Sequence, residues 1–275
     1  MLSELLRAVL YGIVEGITEW LPVSSTGHLI LLEELLPMQV SEAFWEMFLV
    51  VVQLGAILAV VVLFWDRIFP FSFSGKGPVI RRDVWGLWFR IFAACLPACV
   101  YAFLLDDMVE AYLYNYVTVA VMLILVGVAF LLCERYLAKR PQSVTDTAFI
   151  SYRTALLIGA FQLIAAILPG TSRSGATIIG GLLLGLSRTC AAEFTFFLAI
   201  PVLAGGSLLK LLKFGFSFTA AEAMILAVGT AVSFAVSLLV IRFLLGYVRK
   251  KSFVPFAYYR IALGILVIGY FLVTG

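Results

Sequence analysis

The chain has 275 residues, of which 63% are hydrophobic and 13% are charged, and its formal net charge is +3. With a mean hydropathy of +1.11, it has too little polar surface for a soluble domain of this size. The composition therefore predicts a polytopic integral membrane protein. No basic stretch is interleaved with aromatic residues, so nothing indicates a nucleic-acid partner.

Hydropathy predicts six spanning helices and two apolar stretches that are broken in the middle by a polar loop. In chain order, these are a broken stretch at 2–36, spans near 44–64, 86–105 and 116–136, a broken stretch at 153–188, and spans near 190–212, 222–246 and 256–274. Each half of a broken stretch is too short to cross a bilayer. Both stretches therefore predict a re-entrant helix-loop-helix hairpin, whose loop must line a polar cavity or be buried in protein.

The two halves of the chain also match each other when one is shifted by 147 positions. The matched residues are Leu21-Pro22 with Leu168-Pro169, Ser24-Ser25 with Thr171-Ser172, Gly12 with Gly159, Glu15 with Gln162, and Glu46 with Glu193. Each half contains one hairpin and three spans, and because three is odd, the second copy is inverted in the membrane. The sequence predicts a single membrane domain with an inverted-topology repeat, about 1–140 and 148–275, and a site near the midplane.

Basic residues in the short loops predict the orientation. The loops at 65–85, 137–153 and 247–255 are rich in lysine and arginine and are predicted to be cytoplasmic, whereas the 106–115 loop has three acidic residues and no basic one. Both termini and the first hairpin then open on the extracytoplasmic side, and the second hairpin opens on the cytoplasmic side.

The loop of the first hairpin concentrates polar side chains. It reads LPVSSTGHLIL over 21–31 and holds three consecutive hydroxyl residues and His28, the only histidine of the chain. A lone histidine on an apolar helix is usually a packed residue, but His28 lies one turn from Ser24 and Ser25 and is well placed to move a proton.

The loop of the second hairpin reads LPGTSRSGATI over 168–178 and carries one charge, Arg173. A charge at the centre of a membrane helix costs about 2.5–3.5 kcal/mol, so Arg173 predicts an anionic partner or ligand. One alternative is an ion pair with Glu15, Glu19 or Glu193. Hydroxyl N-caps and glycines at two converging helix starts favour a phosphate, whereas helix packing alone explains the small residues but not the arginine.

Glu15 and Glu19 are four residues apart and share one face of a helix. Two carboxylates in an apolar run repel and desolvate each other, so they need a divalent cation, Arg173 or a shared proton. Beside a phosphate, Mg²⁺ or Ca²⁺ would neutralise both the carboxylates and the phosphate oxygens. Alternatively, one carboxylate is the base that activates a hydroxyl. These residues predict a site that binds and attacks a phosphoryl group inside the membrane.

The segments EGITEWLPVSSTGHL and PGTSRSGAT resemble the two signature motifs of the undecaprenyl-diphosphatase (bacitracin-resistance) family of bacterial membrane phosphatases. The resemblance extends to 53–67 and 185–201 and so covers nearly the whole chain. It implies hydrolysis of undecaprenyl diphosphate to undecaprenyl phosphate in the bacterial cytoplasmic membrane, which recycles the lipid carrier for peptidoglycan synthesis and gives bacitracin resistance. It also implies a metal-assisted site, with Mg²⁺ or Ca²⁺ as the expected ion, open to the extracytoplasmic side.

The resemblance also implies a set of site residues. The catalytic set is Glu15, Glu19, Ser25, His28 and Arg173, with Glu15 and Glu19 also as metal ligands, and the phosphate-binding set is Ser24, Thr26, Gly27, Thr171, Ser172, Ser174 and Gly175. We favour Ser25 as the nucleophile, Glu19 or His28 as its base and Arg173 as the transition-state clamp. Ser24 and Thr26 are expected mainly to cap the half-helix and to position phosphate oxygens. The motif leaves His28 open as an alternative nucleophile.

Rival functions follow from other classes of membrane protein. A haloperoxidase-like lipid phosphatase needs two histidines and a haloacid-dehalogenase-type enzyme needs a D-x-D loop, and the sequence has neither. A transporter or flippase of polyprenyl phosphate lipids is the serious alternative, since inverted repeats with broken helices are transporter architecture. The expected partners are a polyprenyl diphosphate lipid and membrane lipid; the oligomeric state is open, with a homodimer as one option.

Overall fold

A computed structural model describes residues 1–73, 79–104, 113, 115–140 and 142–274. These residues form helices and no extended strands. The α-helices are α1 Leu2–Thr18, α2 Ser25–Leu35, α3 Glu42–Val51, α4 Gln53–Leu63, α5 Trp65–Ile68, α6 Arg82–Leu104, α7 Tyr116–Leu137, α8 Tyr152–Ile167, α9 Arg173–Leu183, α10 Arg188–Phe214, α11 Ala220–Val248 and α12 Val254–Thr274. Most of the acidic 106–115 loop lies outside the described residues.

Six helical segments are long and apolar enough to cross a membrane, which confirms the six predicted spans and the polytopic membrane class. The helices extend beyond the predicted bounds by up to four residues. The first span combines α3 and α4, which meet at Val52. Side-chain caps fix several helix starts: for example, Ser187 accepts a hydrogen bond from the Cys190 N–H, and Thr219 forms a capping box with Glu222.

The two remaining apolar stretches are each broken into two helices, α1 with α2 and α8 with α9. In each case the second helix follows a serine with φ of 71°, Ser24 or Ser172, and no other non-glycine residue in the described ranges has a positive φ. Such a backbone conformation is uncommon for a side chain, so the two breaks share an unusual local geometry.

These two serines are 148 positions apart, so the predicted match of Ser24 with Thr171 is wrong by one residue at the turn. One residue separates Pro22 from Ser24, whereas two residues separate Pro169 from Ser172. The second loop is therefore longer by one residue, and the match shifts after the prolines.

Hydrogen bonds join the two ends of each broken stretch. Near the start of α1, Glu4 Oε2 accepts a hydrogen bond of 2.9 Å from the backbone N–H of Gln39, which follows α2. Before α8, the N–H groups of Ser143 and Val144 donate to the Gly185 carbonyl, which follows α9, at 3.0 and 3.1 Å. The two ends of each broken stretch therefore lie beside each other.

Close helix packing holds both stretches in place. A Cβ atom on Gly12 of α1 would lie 2.6 Å from the Gly229 carbonyl oxygen of α11, and one on Gly159 of α8 would lie 2.3 Å from the Ala94 carbonyl oxygen of α6. Any side chain at Gly12 or Gly159 would therefore push the helices apart. The glycines let each stretch lie directly against a spanning helix of the other half of the chain.

Candidate active site

The two turns meet in the middle of the protein. Trp20 anchors the first turn: it is fully buried, and its ring packs edge-to-face on Phe196 at 5.2 Å. The Ser174 hydroxyl at the start of α9 donates a hydrogen bond of 3.3 Å to the Leu21 carbonyl. The structure thus brings the two predicted motifs into direct contact, although 153 positions separate Leu21 from Ser174.

Glu19 is the link between a hydroxyl of the first turn and the arginine of the second. Its Oε1 lies 2.6 Å from Arg173 Nη2, and its Oε2 accepts a hydrogen bond of 3.5 Å from the Ser25 hydroxyl. Arg173 Nη1 donates to the Thr195 carbonyl at 3.1 Å, while its buried Nε has no hydrogen-bond partner among the described residues. One carboxylate is therefore held between the predicted nucleophile and the predicted clamp.

The same contacts decide among the ion pairs considered for Arg173. Of the three glutamates, Glu19 is its partner. Glu193 instead pairs with Arg67 at 2.8 Å, at the end of the bundle where α4 leads into α5. The suggested Arg173–Glu193 pair is therefore wrong, because the Glu193 carboxylate binds Arg67, whereas Arg173 contacts α10 through the Thr195 carbonyl.

Glu15 lies one helical turn before Glu19 and is fully buried, and neither of its carboxylate oxygens has a hydrogen-bond partner among the described residues. Gln162, the residue matched to Glu15 in the sequence, is also buried, and neither of its side-chain amide atoms has a hydrogen-bond partner within the described ranges. Burying a polar group without a partner costs free energy, and an isolated charge costs far more. Glu15 therefore needs a proton or a cation close to its carboxylate.

The hydroxyl groups at the two helix starts differ in their bonding. Ser172 caps α9 by accepting a hydrogen bond of 3.2 Å from the Gly175 N–H. Ser24 makes no such bond to α2, so the expectation that Ser24 caps this helix is wrong. The Ser24 Oγ and the Thr171 Oγ1 are instead buried, and neither has a hydrogen-bond partner in the part of the chain that the structure describes. Together with Arg173 Nε, they leave unsatisfied polar atoms on both turns, which a polar ligand would satisfy.

The remaining predicted phosphate-binding residues lie in the same region. Thr26 is half-buried in the first turn of α2. Gly27 packs so closely on α7 that a Cβ would lie 2.8 Å from a methyl group of Leu123. A Cβ on Gly175 would lie 3.1 Å from Arg260 Nη1. Both glycines are thus needed for packing, whatever ligand their N–H groups meet.

His28 faces away from the Glu19–Ser25 contact. Its Nδ1 lies 2.7 Å from the Ser24 carbonyl oxygen, and its Nε2 lies 2.6 Å from the Tyr259 hydroxyl. The His28 and Tyr259 rings are nearly parallel, with centroids 5.6 Å apart. The structure therefore pairs Ser25 with Glu19, and His28 with the turn backbone and α12.

Arg260 is a site residue that sequence reasoning missed. It is fully buried on α12 and binds the backbone of both turns. Its guanidinium donates to the carbonyl of Pro22 at 3.0 Å and to those of Gly170 and Thr171 at 2.9 Å each. An arginine inside the predicted span 256–274 was a sufficient signal, because an intramembrane charge marks a functional or structural site by default.

We expect Arg260→Met to destabilise the protein by roughly 3 kcal/mol or more, because each buried carbonyl that loses its donor costs about 1–3 kcal/mol. Thermal unfolding in detergent measures the effect. Arg242→Met is the matched control, since Arg242 is an exposed arginine on the neighbouring α11. Equal melting temperatures for the two variants would show that the two turns hold together without Arg260.

Fold and site together define a polytopic helical membrane protein whose two broken stretches bring carboxylates, hydroxyls and arginines into one buried cluster. A family model described as bacitracin resistance protein BacA matches residues 8–266, and the chain belongs to this family. Among its relatives, the undecaprenyl-diphosphatase of Desulfitobacterium hafniense is 58% identical over 271 residues, which cover 98% of this chain and 97% of the relative. An undecaprenyl-diphosphatase of Enterococcus faecalis is 55% identical over 266 residues, 96% of each chain, and that of Acetivibrio thermocellus is 52% identical over 269 residues, 98% of each.

Proposed function

We propose that this protein hydrolyses undecaprenyl diphosphate to undecaprenyl phosphate and inorganic phosphate, which regenerates the lipid carrier for peptidoglycan synthesis and gives bacitracin resistance. Relatives with that enzyme name match nearly the full length of the chain. The observation that carries the proposal is the carboxylate of Glu19, held between the Ser25 hydroxyl and the Arg173 guanidinium. A nucleophile, a base and a cationic clamp are the parts that phosphoryl transfer requires.

In the proposed reaction, the Ser25 oxygen attacks the terminal phosphorus while Glu19 accepts the hydroxyl proton. The bond from that phosphorus to the bridging oxygen breaks, and undecaprenyl phosphate leaves. Water then hydrolyses the phosphoserine, which releases inorganic phosphate and restores Ser25. Arg173 stabilises the charge that develops on the transferred group, and the N-termini of α2 and α9 offer N–H donors to the phosphate oxygens.

We further propose that Glu15 and Glu19 hold a divalent cation, Mg²⁺ or Ca²⁺. The unpartnered carboxylate oxygens of Glu15 fit such an ion. Among the described residues, no group of three or more His, Cys, Asp or Glu side chains could hold a metal, so substrate oxygens would complete the coordination. When bound, the ion would neutralise diphosphate charge. Arg173 alone does not suffice to neutralise the diphosphate, because Glu19 already neutralises the charge of its guanidinium.

The proposal includes an inverted repeat within one membrane domain, about 1–140 and 148–275, with both broken stretches re-entrant. Reciprocal packing of α7 and α12 supports it. A Cβ on Gly127 would lie 2.9 Å from the Ala257 carbonyl oxygen, and one on Gly264 would lie 2.8 Å from the Ala120 carbonyl oxygen. Gly264 lies 137 positions after Gly127, and Ala257 lies 137 positions after Ala120. The second contact therefore repeats the first with the two helices exchanged. Such reciprocity is what a two-fold axis between the halves produces.

Two ion pairs support the same axis. Glu46 on α3 pairs with Lys210 near the end of α10 at 3.2 Å, and Glu193 near the start of α10 pairs with Arg67 beyond α4 at 2.8 Å. The first span and α10 therefore run antiparallel, and their matched glutamates each bind a basic residue from the far end of the other helix.

We also propose that the protein lies in the bacterial cytoplasmic membrane with both termini and the site opening on the extracytoplasmic side. The distribution of basic loops supports this orientation. In a variant without the four native cysteines, a cysteine at the exposed Ser217 should react with an impermeant maleimide added to intact cells, and one at Lys139 should not. Labelling of Lys139→Cys alone would invert the proposed orientation.

The function is tested by phosphate release from undecaprenyl diphosphate by the purified protein in detergent. Detergent micelles have no second compartment, so transport cannot contribute and a pure flippase would release nothing. We expect turnover that stops with a chelator and returns with excess Mg²⁺ or Ca²⁺. Failure to release phosphate under any metal condition would contradict the hydrolase and favour the transporter. Full activity in the presence of the chelator would contradict the proposed cation but not the proposed hydrolysis.

A further inference from the structure

The tautomer of His28 follows from its two neighbours. A carbonyl oxygen can only accept a hydrogen bond, so the 2.7 Å contact to the Ser24 carbonyl places a proton on Nδ1. In the neutral ring, Nε2 is then the acceptor, and the Tyr259 hydroxyl at 2.6 Å is its donor. The hydrogen bond at one ring nitrogen thus fixes whether the other nitrogen carries a proton, as is common for a functional histidine.

The other end of this chain of hydrogen bonds is the turn that presents Ser25. The carbonyl that His28 holds belongs to Ser24, the residue with φ of 71°. A serine in this region of backbone conformation is held there by its surroundings. Ser24 has no side-chain cap bond of its own, so the His28 ring supplies a contact that the turn otherwise lacks.

Neighbouring contacts hold Tyr259 in a fixed position relative to His28. The next residue, Arg260, is fully buried and binds the carbonyls of both turns. Arg260 therefore sets the position of α12 relative to the turns, and the nearly parallel rings of Tyr259 and His28 set the direction of the hydroxyl. Tyr259 remains 47% exposed, so its position is not simply the result of packing an aromatic side chain into the protein core.

We propose that Tyr259 is a positioning residue of the phosphatase site. Through His28 Nε2 it holds the Nδ1–H tautomer, and through His28 Nδ1–H it holds the Ser24 carbonyl and the turn that presents Ser25. The effect on catalysis rests on the proposed function, whereas the effect on the His28 ring does not. The two parts can therefore be tested separately.

The first test uses the fact that His28 is the only histidine of the chain. Protein labelled with ring-¹⁵N histidine, carrying an affinity tag without histidine, gives ring-nitrogen resonances from this residue alone. At a pH where the ring is neutral, we expect the Nδ1–H tautomer in the wild type. In Tyr259→Phe, which keeps the ring packing, we expect a shifted Nε2 resonance or a mixture of tautomers. A wild-type Nε2–H tautomer, or identical spectra for the two proteins, would overturn the proposal.

The second test is kinetic. Tyr259→Phe should lower kcat for phosphate release by about tenfold, the effect of losing one hydrogen bond, with KM changed less than twofold. Tyr258→Phe, at the exposed neighbour on the same helix, should match the wild type. Combining Tyr259→Phe with His28→Ala should cost no more than His28→Ala alone, because the tyrosine acts through the histidine.

The outcomes separate the two proposals. A wild-type protein without phosphate release would contradict the proposed function, and the histidine spectra would still test the hydrogen-bond chain. An active wild type with an unchanged kcat in Tyr259→Phe would overturn the positioning role, even if the spectrum shifted. Additive losses in the double variant would likewise contradict action through His28.

Discussion

Replacing Arg173 by alanine is expected to reduce the rate of phosphate release by roughly 10³-fold or more, and replacement by lysine should restore only a small part of it. An arginine that stabilises a phosphoryl transition state is worth about 10³–10⁵ in rate. Two guanidinium nitrogens of Arg173 already bind Glu19 and the Thr195 carbonyl, and its Nε has no partner among the residues that the structure describes. Lysine keeps the charge, but a single ammonium group cannot hold both protein partners and a phosphate oxygen in fixed directions.

The matched control for this prediction is Arg67→Lys. Arg67 also pairs with a glutamate, Glu193 at 2.8 Å, but among the described residues neither partner makes an ion pair with Arg173 or Glu19. Its loss of fork geometry should change turnover only a few-fold. Melting temperatures of all variants must first show folded protein. A folded Arg173→Ala variant with near-normal turnover would reduce Arg173 to an internal ion-pair partner of Glu19.

The overall helical architecture could be predicted from sequence because each span is set by a local quantity, the length of an apolar run. The breaks at 19–24 and 168–172 were visible for the same reason. The one-residue difference between the loops could not be predicted from the sequence, because Ser24 and Thr171 are both hydroxyl residues two positions after a proline. Only the backbone conformation shows that Ser172, and not Thr171, shares the φ of 71° with Ser24.

The site was predictable where a residue type is unusual for its surroundings. Glu19, Ser25 and Arg173 are polar residues in apolar runs, and the structure brings the three together. The choice of partner was not predictable, because tertiary packing decides that Glu193 binds Arg67. Tyr259 gave no signal, since tyrosine is common near membrane interfaces. Its contact with His28 spans 231 positions along the chain.

Ser25→Ala is expected to abolish phosphate release, with a loss of at least roughly 10⁴-fold, because losing a nucleophile removes the covalent route altogether. Ser25 begins α2, so the N-terminus of the helix stabilises its developing alkoxide and the phosphate that it attacks. Its hydroxyl donates to Glu19 Oε2, the nearest carboxylate that could accept its proton. The variant should fold and still bind undecaprenyl diphosphate, since Arg173 and the N–H donors remain.

Ser24→Ala is the neighbouring control and should lose about tenfold, because the Ser24 Oγ has no protein partner and contributes at most one hydrogen bond to a phosphate. Wild-type protein quenched during turnover of substrate labelled in its terminal phosphate should carry the label on Ser25, and mass spectrometry can locate it. An active Ser25→Ala variant together with an inactive His28→Ala variant would move the nucleophile to the histidine. That result would require His28 Nε2 to leave the Tyr259 hydroxyl before attack, whereas Nδ1–H could stay on the Ser24 carbonyl.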